Sequence, residues 1–161
     1  MIHLERADAK DAETIVRLKI DAFKREVKLY GYGPPNYSSV EQQRKVLEDK
    51  SIDYYKVYDG GTLIGGASVT ARGEGQYYLS SIYIADGTQN TGAGSRTLQL
   101  LLERYPDAVK WTLETPCRSL RNHHFYEKHG FVKVGETAPE PDGFFLFLYE
   151  KLPPQAVQRS V

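Results

Sequence analysis

Gln76-Tyr77-Tyr78-Leu79-Ser80-Ser81-Ile82-Tyr83-Ile84 runs through Ala85-Asp86-Gly87-Thr88 into Gln89-Asn90-Thr91-Gly92-Ala93-Gly94, and this passage decides the fold. Its first nine residues, rich in Tyr, Ile and Ser, predict an extended strand. Beyond the loop, Leu98, Leu101, Leu102 and Tyr105 recur at i, i+3, i+4 and i+7, the spacing of a helix with one apolar face, expected from near Gly92 to Pro106. Gly92 and Gly94 let the backbone approach a ligand, and a first helical turn leaves amides without intrahelical acceptors, so the junction favours an anion such as a diphosphate. The alternative is a flexible turn whose glycines only permit a tight bend. No Gly-Lys-Ser/Thr follows and no Gly-x-Gly-x-x-Gly is present, which argues against nucleotide hydrolysis and nicotinamide chemistry.

Upstream, residues 54–58 and 62–71 read as strands about the turn Asp59-Gly60-Gly61, and Arg72-Gly73-Glu74-Gly75 turns the chain again. Three consecutive antiparallel strands are expected. Residues 2–5 alternate as a short strand, and Asp8 with Asp11 starts a helix carrying Ala12, Ile15, Val16, Ala22, Phe23 and Val27 as far as Tyr30. Gly31, Gly33, Pro34 and Pro35 end it, and Ser38 or Ser39 restarts a shorter helix with Val40 and Leu47. Downstream, Val109, Trp111 and Leu113 alternate as a buried strand, Ser119 caps a helix running to Lys128 and closed by Gly130, residues 131–134 resume extended structure, and 143–150 form a last aromatic strand. The order predicts an α+β (mixed α/β) fold, one central mixed sheet with helices on both faces, in which residues 76–113 make a right-handed parallel crossover.

A chain of 161 residues, 40% apolar and 26% charged, predicts one domain over residues 1–152, with 153–161 as a loose tail. Lys plus Arg and Asp plus Glu both number 21, so no net field draws the chain to nucleic acid or anionic lipid. No apolar run reaches the ~18 residues of a membrane span, and the charged first 25 residues encode no export signal. A lone cysteine, Cys117, makes neither an internal disulfide nor a zinc cluster, and suits a reducing cytoplasm.

About thirty residues after the glycine loop comes Asn122-His123-His124-Phe125-Tyr126-Glu127-Lys128-His129-Gly130-Phe131. Together with Gln89-Asn90-Thr91-Gly92-Ala93-Gly94 this resembles the GNAT superfamily of N-acetyltransferases, whose Gln/Arg-x-x-Gly-x-Gly/Ala loop follows the fourth strand and whose later helix ends in a Tyr-Glu-Lys-x-Gly-Phe-like string. The match is close over residues 76–134, and the N-terminal third agrees in element order. The resemblance implies a three-layer α-β-α fold around a mostly antiparallel sheet with a splayed strand pair. It also implies a direct transfer from acetyl-CoA to an amine in a ternary complex, without a covalent enzyme intermediate or a metal. Amides from Thr91 through Gly92, Ala93 and Gly94 to Ser95, in the loop that Gln89 and Asn90 open, would hold the pyrophosphate. Main-chain groups of Ile82, Tyr83 and Ile84 would pair with the pantetheine arm, with Asn122 and Phe125 also on the cofactor, and Tyr126 would be the catalytic residue, its hydroxyl aimed at the thioester sulfur.

On the residues alone, Phe125, Phe131 and Leu120 read as core, and Tyr126 as a half-buried surface tyrosine. His123 and His124, adjacent on a helix, point apart and read as exposed or capping rather than as ligands, and Cys117 reads as an inert thiol. The acceptor amine poses the larger proton problem. With a pKa of ~10.4 it is neutral at pH 7 only at a cost of roughly 4.6 kcal/mol, whereas a leaving thiol near ~8.5 departs with modest help. No carboxylate lies within residues 76–84 to take that proton; Glu74 and Asp86 flank the strand, Ser80 and Ser81 could order a water, and His123 or His124 stays open as the base. Tyr30, Tyr32 and Tyr37, in the Gly- and Pro-rich segment between the first helices, either wall an amine pocket or pack on the sheet. Glu136, Glu140 and Asp142 either attract a cation or form a solvated charge run. The expected acceptor is a small-molecule amine or a peptide amino terminus. A homodimer through Phe144, Phe145, Phe147 and Tyr149 stays open, as do a non-catalytic acyl-CoA-binding sensor and an enzyme using a different acyl group.

Overall fold

The computed structural model describes residues 1–154, so residues 155–161 of the expected tail lie outside the described residues. The chain forms β1 (Ile2–Arg6), α1 (Ala12–Ala22), α2 (Lys24–Tyr30), α3 (Val40–Glu48), β2 (Ile52–Asp59), β3 (Thr62–Ala71), β4 (Gln76–Ile84), α4 (Ala93–Glu103), β5 (Lys110–Pro116), α5 (Leu120–Lys128), β6 (Val132–Glu136) and β7 (Leu146–Lys151). These seven strands and five helices make the mixed α+β class that the sequence predicts. Two compact units divide them: Met1–Thr70 with Ser81–Tyr105, and Ala71–Ser80 with the chain from Pro106 on.

In the first unit the strand order is β1-β2-β3-β4, with β1 and β2 antiparallel from Ile2↔Asp59 to Arg6↔Tyr55, and β2 and β3 antiparallel from Ile52↔Thr70 to Asp59↔Thr62. β3 is buried without interruption from Ile64 to Val69, the pattern of a strand covered on both faces. Gly65 and Gly66 stand where any side chain would overlap Tyr83, the first against its carbonyl oxygen and the second against its ring and hydroxyl. Ile15, Ala22, Tyr54 and Tyr83 form a core cluster with Leu18, Phe23, Val46 and Leu47 packed against it.

One long helix up to Tyr30 is expected from the sequence, but the chain breaks it at Phe23 (φ −100°, ψ 7°). The Phe23 ring packs on Tyr83 at 5.7 Å and Tyr37 at 6.5 Å, a tertiary attraction that periodicity does not report. Of Ser38 and Ser39, the second caps α3, its hydroxyl accepting the Gln42 amide at 3.2 Å.

In the second unit the order is β4-β5-β7-β6. β4 and β5 are parallel over Gln76↔Lys110, Tyr77↔Trp111 and Tyr78↔Thr112, although β4 continues to Ile84. β5–β7 and β6–β7 are antiparallel. Trp111 and Leu113 are buried, as the alternation predicts, Phe131 is core as read, and Tyr149 is buried too. Several expectations fail here. Val109 precedes β5 and is 44% exposed, and Leu120, at the first position of α5, is 75% exposed rather than core. Ser119 stands at the N-cap without a side-chain cap bond, contributing its carbonyl to His123 instead. The last strand starts at Leu146, because Asp142 accepts the Phe144 amide at 2.9 Å and Gly143 (φ +87°) turns the chain first.

Candidate active site

The loop from β4 into α4 directs its side chains to its own framework. Gln89 donates through Nε2 to the carbonyls of Ile84 at 2.8 Å and Ala22 at 3.3 Å, tying the loop to the ends of β4 and α1. The Asp86 amide donates to the Asp21 carboxylate at 3.0 Å, and the Asp86 carboxylate meets Arg25 Nε at 2.6 Å. Thr91 donates to Thr88 O at 2.6 Å. Gln89 is thus a brace of the loop, and Asp86 is engaged by cations rather than held as a spare base.

Asn90 (φ 64°) and Gly92 (φ 84°) adopt left-handed backbone, and Gly92 begins α4 with no side-chain cap. A Cβ at Gly92 would meet nothing within 4 Å, so glycine serves the φ angle there while the approach stays open. The first intrahelical bond runs from the Arg96 amide to Gly92 O at 3.0 Å; the amides of Ala93 and Gly94 come before it. No acidic residue stands in this first turn to compete for the positive end of the helix. These features fit a bound diphosphate. Upstream, Tyr83 is core, 4% exposed, with its hydroxyl 2.7 Å from that of Tyr54, so it can offer a ligand only its main chain. Ile84 is buried, Ile82 half-buried and Ser80 exposed, while the Ser81 hydroxyl lies 2.7 Å from that of Ser68.

In the second unit, α5 buries Tyr126 to 9% exposure, with ring contacts to Phe125 at 5.3 Å, Phe131 at 5.9 Å and Tyr149 at 6.3 Å. Among the described residues its hydroxyl has no hydrogen-bonding partner. The phenols of Tyr77, Tyr78 and Tyr149 contrast with it, donating to Asp107 at 2.7 Å, Glu114 at 2.9 Å and Glu127 at 2.8 Å. Burial first, and the nearby Tyr78 second, push the Tyr126 pKa well above its ordinary value, so the group stays a neutral donor at physiological pH. Asn122 donates to the Thr115 hydroxyl at 3.2 Å, and the partly buried Phe125 also stacks toward His129 at 5.0 Å.

His123 is buried, against expectation: it stacks on Phe147 at 4.3 Å and its Nε2 lies 2.9 Å from Pro116 O, whereas His124 is exposed. Tyr37 packs edge-on to Phe23 and lies over Gly33, so it follows the packing alternative; Tyr30 is half-buried and Tyr32 is 40% exposed. Glu136 pairs with Lys133, and Asp142 serves its turn, as a solvated charge run would. Among the described residues no group of three or more His, Cys, Asp or Glu could hold a metal ion, and no helix is long and apolar enough to cross a membrane.

The first unit thus carries a strand that feeds a glycine-opened helix, and the second carries a buried phenol on α5. A model of the acetyltransferase (GNAT) family matches residues 15–131, and the chain belongs to that family. Solved structures share the fold at low identity. An acetyltransferase from Thermus thermophilus superposes with TM-score 0.81 at 18% identity, covering 95% of this chain and 97% of its own. The PaiA N-acetyltransferase from Thermoplasma acidophilum, solved in complex with coenzyme A, gives 0.76 at 16%, covering 95% and 99%. The ribosomal-protein-S18-alanine N-acetyltransferase from Escherichia coli gives 0.77 at 14%, covering 97% and 96%. No curated protein sequence matches the chain.

Proposed function

We propose that this chain moves an acetyl group from acetyl-CoA to the primary amine of a small molecule or an amino terminus, directly, in a ternary complex in the cytoplasm. The observation that carries this reading is Tyr126, a ring buried to 9% exposure whose hydroxyl no described residue engages. A phenol placed in this way is free to donate a hydrogen bond to a ligand atom. Acetyl-CoA supplies the acyl thioester. The amides beginning α4 bind its diphosphate, the main chain of Ile82 to Ile84 aligns the pantetheine arm as an added strand does, and Asn122 and Phe125 border it. Tyr126 donates a hydrogen bond to charge developing on sulfur; with its pKa raised, it stabilises that charge without giving up its proton outright. The relative solved with coenzyme A and the relative named for an alanine amino terminus support cofactor and acceptor class respectively.

The absence of a carboxylate in β4 keeps one second reading in play, an acyl-CoA sensor without turnover. Calorimetry with acetyl-CoA, followed by thiol release in the presence of an amine panel, separates the two. Binding with thiol release is expected; binding without release identifies a sensor, and no binding refutes both.

A further inference from the structure

In the first unit α3 packs against α1, and the seam between them holds a cation with no part in the proposed transfer. Lys19, in the last turn of α1, is half-buried and donates through Nζ to Gln43 Oε1 at 2.9 Å. Among the described residues its ammonium pairs with no carboxylate. An ammonium that gives up water for one neutral acceptor keeps much of its desolvation cost, and burial lowers its pKa to about 8. A share of Lys19 is therefore neutral, nucleophilic amine near physiological pH.

Its partner is incomplete as well. Gln43 is 2% exposed, and its buried Nε2 makes no hydrogen bond among the described residues, although the Tyr54 hydroxyl lies near the amide. Lys19 fixes the orientation of that amide, because an ammonium only donates and so takes the oxygen. The Gln43 amide thus presents an acceptor already engaged by Nζ and, on the same planar group, a donor left unmatched. A carbamate on Nζ matches both: its N–H and one carboxylate oxygen lie side by side, so the N–H keeps Oε1 while the oxygen accepts from Nε2. An acetamide on Nζ does not, since in a trans amide the N–H and C=O point opposite ways. Gln43 also makes the first intrahelical bond of α3, its main-chain amide donating to Ser39 O at 3.0 Å, which places it at the end of the helix that favours an anion.

We infer that Lys19 is a modification site for carbon dioxide, its amine forming a carbamate that the Gln43 side chain holds. The Nζ lone pair forms the N–C bond to the carbon of CO2, one C–O π pair moves onto oxygen, and a proton leaves nitrogen for water. Nothing is oxidised or reduced, and no reactant besides CO2 is needed. The product turns a cation into an anion at the seam of α1 and α3 and replaces one hydrogen bond with two. CO2 is small and uncharged, and Lys19 is half-buried rather than enclosed, so the reagent reaches the amine and the second carboxylate oxygen keeps water. This site stands apart from the acetyltransferase reading and requires no coenzyme.

The full chain equilibrated with ¹³C-labelled CO2 and bicarbonate tests this. A ¹³C carbamate resonance should appear in the wild type and be lost in Lys19→Met. Trapping with triethyloxonium ion, followed by peptide mass spectrometry, should place the ethyl carbamate on Lys19, with Lys24 and Lys45, both paired with carboxylates, labelled at least tenfold less. Gln43→Leu should lower the occupancy of Lys19 at least fivefold, and Gln43→Glu, which gives the ammonium a counterion, should suppress it likewise. Dissolved CO2 should raise the Tm of the wild type but not of Lys19→Met. No adduct on Lys19 in the wild type, or adducts confined to the Met1 amine and other lysines, overturns the site. Occupancy in Gln43→Leu or Gln43→Glu within twofold of wild type, in a variant that still melts cooperatively, overturns the part given to Gln43.

Discussion

The Tyr83 hydroxyl lies 2.7 Å from the Tyr54 hydroxyl, with its ring laid against the bare backbone of Gly66. A methyl group at Gly66 would overlap both the hydroxyl and the ring carbon that bears it. Gly66→Ala is therefore expected to cost about 1–3 kcal/mol, the range for overpacking a close-packed core. In a chain of this size that lowers Tm by roughly 2–4 °C per kcal/mol. Tyr83→Phe added to Gly66→Ala should recover only part of the loss, because the ring carbon remains. Thermal melts of the two variants check it, and an undiminished Tm for Gly66→Ala would show that the ring is not held there.

The start of α4 separates backbone conformation from bracing. Gly92→Val places a branched side chain at φ 84°, a left-handed position that costs an L residue roughly 1–2 kcal/mol or more. The loop is expected to rearrange, weakening acetyl-CoA binding at least tenfold. Gln89→Ala leaves the carbonyls of Ile84 and Ala22 without their donor and should cost about 1–3 kcal/mol, with a smaller loss of coenzyme affinity. Calorimetry with acetyl-CoA beside thermal melts distinguishes the two patterns; unchanged affinity in Gly92→Val would remove this loop from the coenzyme site.

Both substitutions touch what sequence can and cannot disclose. The limits of β4 and the Ser39 cap of α3 were legible because turns and caps are local chemistry, set by residues within four positions of each other. Gly92 was legible for the same reason. The brace made by Gln89 was not: one of its acceptors, Ala22, lies 67 residues away. Glu114 in β5 reads as an ordinary outward charge until the fold brings Tyr78, 36 residues earlier, onto its carboxylate. Phe23 and His123 departed from expectation through ring stacking on Tyr83 and Phe147, contacts that helical periodicity cannot encode. Local signals carried the scaffold, and long-range pairing decided which side chains remain available for chemistry.

Lys19 gives a pH signature. Burial lowers its pKa to about 8, with its ammonium donating to Gln43 Oε1 at 2.9 Å. The unfolded chain holds that proton up to about 10.4, so between about 8 and 10 the unfolded state binds more protons and stability rises with pH. Below about 8 both states are charged and the folded state carries the full desolvation penalty, on the order of 3 kcal/mol as an upper bound. Lys19→Met is expected to stabilise the fold at pH 7, and to flatten the rise between pH 8 and 10. Melting curves across that range for both proteins measure it; parallel pH dependence in the two would rule out Lys19 as its origin.

Tyr126→Phe bears most directly on the chemistry. An ordinary phenol of pKa ~10 is already a weaker acid than a thiol near ~8.5, so handing over its proton would be uphill by about 2 kcal/mol. Burial pushes the Tyr126 pKa higher and makes full transfer less favourable still, while a hydrogen bond from the neutral phenol strengthens as charge grows on sulfur in a site shielded from water. Removing that donor should lower kcat by 10- to 1,000-fold, the low end if water takes its place. Acetyl-CoA affinity should change by less than threefold, since the bond matures only as the thiolate forms. The variant also lacks a hydroxyl that no described residue engages, so its Tm should hold or rise slightly. Steady-state kinetics, calorimetry and melting on one preparation decide the matter: an unaltered kcat dismisses the donor role, and a fall in Tm beyond a few degrees assigns the hydroxyl to folding instead.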